Sequence, residues 1–209
     1  MKNLKLELHF AATAALCLAG AAAADVVYSG PLNFVCAIDI DGTYINVETA
    51  QLTNGPGSGV PGWDVNPYRA STGSGMNFFS PTGGGMVSAA AGVGSAINLA
   101  GGATIGSTSN FSASTATIVF GSAAGNWQYG AENIVGFRFV GADGQTRYGW
   151  MRFLMGAQPV SGNLVTRTVV DFAYESVAGA SILAGDTGIP APGALALLGV
   201  AGLASRRRR

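Results

Sequence analysis

The sequence predicts an all-β protein, a single antiparallel β-sandwich domain of jelly-roll type. Apolar and β-branched residues alternate with polar ones in short runs, and this period of two is typical of strands. The 32 glycines and 8 prolines provide many turns between these runs. Between the two ends of the chain no stretch favours an amphipathic helix, because glycines are frequent and strong helix formers are few.

The N-terminal residues 1–24 predict a secretory signal peptide that forms a helix. Lys2 and Lys5 precede an apolar stretch, and three small residues, Ala22, Ala23 and Ala24, come before Asp25. A charged start, an apolar centre and a small-residue cleavage point are the three parts of such a signal. We therefore expect export, with cleavage before Asp25.

The first part of the mature chain predicts three strands. Gly30 and Pro31 separate the first two, and in the third Ile45 and Val47 share a face opposite Tyr44. The predicted ranges are 25–29, 33–38 and 43–49.

Asp39 and Asp41 lie between the second and third strands and predict a turn. The two residues are two positions apart, so their carboxylates would share a face if the chain were extended. Two carboxylates on one face could begin a calcium site, which is the alternative to a turn. The EF-hand spacing is not met, so we expect a solvated turn and no metal site.

Residues 54–75 are rich in glycine, proline and asparagine and predict loop geometry around Trp63 and Tyr68. A tryptophan in a loop most often covers the end of a core. The alternative is an exposed aromatic platform on which a sugar stacks. The candidate ligand-face aromatics are Trp63, Tyr68 and Trp127.

Residues 70–131 carry no charge and are rich in glycine, alanine, serine and threonine. Short weak strands are expected at 96–99, 103–105 and 116–120, with at most one helical turn near 86–91. The threonines and serines have no regular spacing, so the flat repeated array that an ice-binding face requires is not predicted.

The last third predicts three antiparallel strands, at 134–140, 146–154 and 165–175. Asp143 and Gly144 mark the hairpin turn between the first two. Gly149 would allow a neighbouring aromatic ring to cover the backbone.

Alternation in the last of these strands predicts an apolar face and a charged face. Cross-strand ion pairs of Asp171 with Arg138 or Arg152 are expected. The inward residues would be Val170, Phe172 and Tyr174, and the outward ones Arg167, Asp171 and Glu175.

Composition excludes several functions. Residues 25–188 carry five arginines, no lysine and ten carboxylates, a net charge of −5 that argues against nucleic-acid binding. The single histidine, His9, lies in the predicted signal peptide, which excludes histidine-dependent triads and histidine metal sites from the mature chain. Cys36 is then the one cysteine left, and its apolar neighbours predict a buried thiol.

We therefore expect no catalytic residues and no cofactor. The remaining enzyme possibility is a carboxylate pair that includes residues such as Glu132 and Asp64 and acts on a polysaccharide. Asp171 and Glu175 do not form such a pair along one strand, since about 13 Å would separate them.

The C-terminal residues 189–209 combine a Pro-x-Pro-Gly turn, an apolar run and four arginines. This order resembles the PEP-CTERM sorting signal of Gram-negative bacteria, which is also labelled an ice-binding protein C-terminal motif. Ala191 stands where that signal has glutamate. The residues that match the signal are Pro190, Pro192, Gly193, Arg206, Arg207, Arg208 and Arg209.

This resemblance implies processing by an exosortase-type enzyme after a transient stay in the inner membrane. The apolar run forms a short helix at most, since about 20 apolar residues are needed to span a bilayer. The terminal arginines would keep the end of a transmembrane helix in the cytoplasm.

Most of the segment from Gly42 to Gly185 is similar to the body of many PEP-CTERM-tailed secreted proteins. The resemblance implies location and fold rather than an activity. The motifs that carry it are GxYINVxT, GWDVNPY, GFRF, YGWMRF and VVDFAYE.

The expected organisation is a signal peptide at 1–24, a β-sandwich domain at 25–185 and a sorting or anchor segment at 186–209. The expected function is that of an exported cell-surface or extracellular-matrix protein, associated with exopolysaccharide or biofilm and without catalytic activity. A carbohydrate-binding module is the alternative, and a polysaccharide-acting enzyme is the third possibility.

Overall fold

The computed structural model describes residues 25–69, 75–90, 92, 94–121, 125–160 and 164–188. The predicted signal peptide and the sorting-signal residues from Pro190 onward lie outside these ranges. The described residues form mainly antiparallel β-structure, with one parallel strand pair and one 3-10 turn, Gly57–Gly59, which confirms the predicted all-β class. Among them, no helix has the length and apolar character needed to cross a membrane.

Fourteen strands are found in the described ranges. They are β1 (Val26–Tyr28), β2 (Phe34–Val35), β3 (Thr43–Asn46), β4 (Gln51–Asn54), β5 (Asn66–Arg69), β6 (Met76–Phe79), β7 (Gly85–Met86), β8 (Ser95–Ala96), β9 (Thr104–Ile105), β10 (Thr115–Ile118), β11 (Glu132–Val140), β12 (Thr146–Met155), β13 (Arg167–Glu175) and β14 (Ile182–Leu183).

A six-stranded sheet with the order β1-β13-β12-β11-β7 forms the centre of the domain, and β2 also pairs with β13. Its three long strands, β11, β12 and β13, are the three antiparallel strands predicted for the last third of the chain, and the predicted turn at Asp143 and Gly144 joins the first two. Gly149 lies opposite Phe137, whose ring occupies the space where a Cβ atom would be. This confirms that a neighbouring ring covers the glycine backbone.

A β-bulge at Val170 changes which residues of β13 face inward. Arg152 pairs with Asp171 and Phe153 pairs with Val169, so Val170 has no partner on β12. The bulge brings Val169 into the main core, whereas strict alternation had predicted Val170 there.

The predicted outward positions of Arg167, Asp171 and Glu175 are wrong, since all three are buried. Arg167 is 1% exposed, and its Nε and Nη2 atoms donate to the carbonyl oxygen of Ala37 at 3.2 and 2.9 Å. Asp171 accepts a hydrogen bond from the Tyr28 hydroxyl at 2.8 Å, and Glu175 accepts backbone N–H groups.

The two faces of the large sheet support two separate cores. Met151 and Phe153 of β12 belong to the main core, whereas Tyr148 and Trp150 belong to the second. Because successive side chains of a strand point to opposite faces, the two cores lie on opposite sides of the sheet. The main core also contains residues from the four-stranded sheet β5-β6-β10-β8, and the second contains residues from the β9–β14 pair.

The uncharged middle of the chain contributes short strands, as predicted. The helical turn that the sequence allowed near residues 86–91 is not found at the described residues 86–90, because Gly85–Met86 pairs with β11 as a strand. Ser112 fixes this edge, since its side-chain oxygen accepts a hydrogen bond from the Met86 amide at 3.0 Å.

Candidate functional site

An aromatic cleft opens on the surface where the β3–β4 hairpin meets strands β5 and β6. Its volume is about 210 Å³. The predicted aromatics Trp63 and Tyr68 both line it, although sequence alone did not show that they lie together. The lining residues are Ile40, Asp41, Tyr44, Trp63, Asn66, Tyr68 and Phe79.

Strand pairing explains why Tyr68 and Phe79 reach the same surface. Tyr68 pairs with Asn77 across the β5–β6 ladder, and Asn66 pairs with Phe79. Residues two apart on a strand share a face, so these four side chains lie on one side of the sheet. The intervening Phe78 points the other way and is fully buried in the main core.

Hydrogen bonds on both sides of Trp63 fix its position. Asn46 donates from Nδ2 to the carbonyl oxygens of Pro61 and Gly62 at 2.9 and 3.0 Å, just before the tryptophan. Just after it, the Asp64 carboxylate accepts the Val47 amide at 2.8 Å. The chain on both sides of Trp63 is therefore fixed by hydrogen bonds, although it lies in a glycine-rich loop.

Aromatic contacts then orient the indole of Trp63. Tyr44 meets it edge-on, with the ring centroids 5.0 Å apart, and Phe79 lies on another side at 5.9 Å. Gly57 lies directly against the Tyr44 ring, where a Cβ atom would collide with it. The indole remains partly exposed, so it can contact a ligand.

Polar groups line one end of the cleft. Asp41 accepts a hydrogen bond from the Tyr44 hydroxyl at 2.9 Å. Burial is the larger cause, and this hydrogen bond the smaller one, of the raised pKa of that hydroxyl. Asn66, 5% exposed, donates from Nδ2 to the Asp41 carbonyl oxygen at 2.9 Å, while its Oδ1 has no hydrogen-bond partner in the described structure. The Tyr68 hydroxyl accepts from Asn77 at 3.3 Å.

Gly42 permits the close packing beneath the cleft. Its φ is +76°, in the region that favours glycine. A Cβ atom there would lie 2.5 Å from the Pro67 carbonyl oxygen and 2.6 Å from both Asn66 Oδ1 and Tyr68 Cβ. The turn that contains Asp39 and Asp41 therefore packs directly against β5, and Asp39 accepts the Gly42 amide at 2.7 Å.

A second hollow of about 210 Å³ lies on the other side of Trp63. Asp64 lines it together with Pro81, Thr82 and Phe139. The Asp64 side chain is 7% exposed, and burial raises the pKa of its carboxyl group to about 7. This carboxyl group therefore changes charge near neutral pH beside the candidate site.

Trp127 is not a ligand-face residue, which corrects the sequence-based expectation. Its side chain is 0% exposed and packs near the rings of Phe78 and Phe153 in the main core. The indole Nε1 donates to the Ala96 carbonyl oxygen at 2.9 Å, so the polar atom is also satisfied internally.

Sequence reasoning assigned no ligand role to Tyr44 and Phe79. Tyr44 could have been found, because the alternation in residues 43–49 already placed it opposite Ile45 and Val47. Phe79 could not, because its face depends on the pairing of β5 with β6, which no local pattern shows.

The other predicted residues occupy structural positions. Cys36 is buried as expected, and burial raises the pKa of its thiol. Arg152 lies between two carboxylates, 3.0 Å from Asp171 and 3.2 Å from Glu132, which confirms the expected Arg152–Asp171 pair. The contact between Arg152 Nε and Asp171 Oδ1 is electrostatic, because neither atom forms a directed hydrogen bond. Within the described ranges, no group of three or more His, Cys, Asp or Glu residues could hold a metal ion.

Comparison with known proteins finds no match to any family model, curated protein or solved structure. The site must therefore be interpreted from its geometry and chemistry.

Proposed function

We propose that this is an exported, non-catalytic protein of the cell surface or extracellular matrix, and that it binds a saccharide unit of exopolysaccharide in the aromatic cleft. One observation carries the proposal: Trp63 and Tyr68 share an open cleft with Tyr44, Phe79 and polar groups. Flat aromatic faces pack against the C–H faces of sugar rings, and carboxylate, amide and hydroxyl groups bind sugar hydroxyls.

The preorganised indole supports saccharide binding more than a passive covering role. Trp63 is held by Asn46 on one side and Asp64 on the other, so little conformational entropy is lost when a ligand orders it. The polar atoms provide directional selectivity. Asp41 and Tyr68 line the cleft with polar groups that can bind sugar hydroxyls.

Charge favours a neutral or amino sugar over an acidic one. The predicted mature body carries a net charge of −5, and Asp41 lies in the cleft itself. An acidic polysaccharide would be repelled by both.

The export and sorting part of the proposal rests on the two ends of the sequence. The signal-peptide pattern and the PEP-CTERM-like tail, with Pro190, Pro192, Gly193 and Arg206–Arg209, are the features that support it. Gly188, the last described residue, lies against Val26 of β1. Both terminal segments would then leave the domain at the same edge.

A single sandwich of jelly-roll type remains part of the proposal. The main core between the large sheet and the four-stranded sheet supports a two-layer arrangement. Strands β11, β12 and β13 follow one another in the chain and are neighbours in the large sheet, so they form a meander. Jelly-roll connectivity would therefore require crossovers among the other strands.

Intrinsic fluorescence provides the first test. Of the three tryptophans, Trp127 and Trp150 are fully buried, so a ligand in the cleft would act mainly on Trp63. We expect saturable fluorescence changes with a neutral or amino oligosaccharide from a glycan panel. The Trp63→Ala variant should bind at least tenfold more weakly, since loss of an aromatic anchor costs about 2 kcal/mol.

The matched control is Leu154→Ala, which removes an exposed apolar side chain on β12. It should leave the affinity unchanged. Failure of every oligosaccharide in the panel, or equal affinity of Trp63→Ala and the parent protein, would refute saccharide binding in this cleft.

A further inference from the structure

Glu175, at the end of β13, is a buried carboxylate with an incomplete set of partners. The residue is 0% exposed. Its Oε1 accepts the backbone N–H groups of Asp25 at 3.1 Å and of Val177 at 2.9 Å, whereas Oε2 has no partner among the described residues. A buried charge with an unsatisfied oxygen is strongly unfavourable unless a cation or further donors compensate it.

The arginine that binds the residue after Glu175 does not fill this role. Arg147 donates from Nε to the Ser176 carbonyl oxygen at 3.0 Å, and its two terminal nitrogens bind Asp143 at 2.7 and 2.8 Å. Tyr174, which precedes Glu175 on β13, and the Asp25 side chain carry no positive charge.

The nitrogen atom of Asp25 is the group that can supply both charge and donors. Within an intact chain it is an amide with one N–H. It lies directly after Ala22, Ala23 and Ala24, the small residues that predict signal cleavage. A free Asp25 terminus would be an ammonium with three donors, already within hydrogen-bond distance of Glu175.

We propose that the Ala24–Asp25 peptide bond is a processing site and that the α-ammonium group released there forms a buried ion pair with Glu175. A leader peptidase would hydrolyse the C–N bond with one water molecule. The water oxygen becomes part of the Ala24 carboxylate, and the Asp25 nitrogen takes up protons to become an ammonium. Processing then completes the folded domain as well as releasing it. This inference rests on the export part of the proposed function and does not depend on saccharide binding.

Strand β1 begins one residue after the processing site, so the new terminus lies directly at the sheet. Val26 pairs with Glu175, and the Asp25 carbonyl oxygen accepts the Ser176 amide at 3.1 Å. The strand pairing of Val26 and the hydrogen bond to the Asp25 carbonyl oxygen therefore fix the position of the new terminus. One additional residue would move the ammonium away from Glu175.

Two measurements test the proposal. Intact-mass analysis of the exported protein should show an N-terminus at Asp25, and a different main terminus would overturn the proposal. NMR titration of the mature protein should then give an α-amino pKa above its usual value of about 8. Glu175→Gln should return that pKa to about 8, whereas the exposed-residue control Glu132→Gln should leave it raised.

A second variant covers the possibility that Glu175→Gln does not fold. A chain that retains Ala24 keeps Glu175 but displaces the ammonium, so its unfolding equilibrium constant should be at least about tenfold larger. Equal stability of the two chains, or the same α-amino pKa in the parent and Glu175→Gln, would overturn the ion pair. The pKa and stability measurements involve no saccharide. A negative result in either one therefore bears on the ion pair and not on the proposed saccharide binding.

Discussion

The ring of Trp63 meets the ring of Tyr44 edge-on, with 5.0 Å between their centroids. Tyr44 comes from β3 and Trp63 from the loop before β5, so this contact joins two separate parts of the chain at the cleft. The Tyr44 hydroxyl is fixed by Asp41, which couples the orientation of the indole to a polar group of the same cleft.

Replacing Asn46 should weaken binding without removing any cleft residue. Asn46→Ala breaks two hydrogen bonds to the loop carbonyls that precede Trp63 and one from the Thr49 amide. We expect destabilisation of about 1 to 3 kcal/mol and a severalfold loss of affinity, because the loop is no longer fixed. Chemical denaturation and fluorescence titration measure the two effects. Unchanged affinity in the folded variant would show that Asn46 does not position Trp63.

Asp64 should make stability depend on pH. Its carboxyl pKa is raised to about 7 by burial, compared with about 3.9 in an unfolded chain. Folding therefore favours the protonated form, and the contribution of Asp64 is fully present below about pH 4 and lost as the pH rises to about 7. Relative to Asp64→Asn, the parent should lose on the order of 2 to 4 kcal/mol between pH 4 and pH 8.

Asparagine retains an oxygen that can accept the Val47 amide, so this comparison isolates the charge. Denaturation curves of both proteins across this pH range provide the measurement. Parallel stability profiles would show that Asp64 has an ordinary pKa in the folded protein.

Gly149 should be intolerant of any side chain. A Cβ atom there would collide with the Phe137 ring and lie 2.6 Å from the Ala173 carbonyl oxygen. Gly149→Ala should therefore cost about 2 kcal/mol or more, through displacement of packed atoms in the central strands. The control is Gly101→Ala, where the added methyl group meets no atom within 4 Å. Similar melting temperatures for the two variants would contradict this account of the β11–β12 pair.

Trp127→Phe should affect stability but not ligand binding. The substitution removes the hydrogen bond from Nε1 to the Ala96 carbonyl oxygen and leaves space in the main core. We expect a loss of about 1 to 4 kcal/mol with affinity unchanged in the folded fraction. Weakened saccharide binding by a stably folded variant would return Trp127 to the candidate site.

Local patterns predicted the long strands and the hairpin turn correctly, because alternation and Asp-Gly chemistry act between near neighbours. The orientation of Arg167 was wrong because the bulge at Val170 shifts the alternation by one residue, and no sequence pattern marks that bulge. Burial of Glu175 was missed for a different reason. The sequence does not show that Asp25 and Val177 lie against its side chain.

The candidate site was predictable only in part. Trp63 and Tyr68 stood out as aromatics in a turn-rich segment, and the structure brings them into one cleft. Trp127 has the same appearance in sequence, but its contacts with Phe78 and Phe153 place it in the core. Which aromatic faces solvent depends on long-range strand pairing, and local composition does not determine it.

The most direct test of saccharide binding uses the indole N–H signals of the isotope-labelled protein during titration with oligosaccharides. The three tryptophans give three such signals, and Trp127 and Trp150 donate to internal carbonyl oxygens of Ala96 and Asp186. A bound saccharide should shift the Trp63 signal saturably and leave the other two nearly unchanged. A saturable shift confined to Trp127 or Trp150, or no shift with any neutral or amino oligosaccharide, would contradict the proposed function of the cleft.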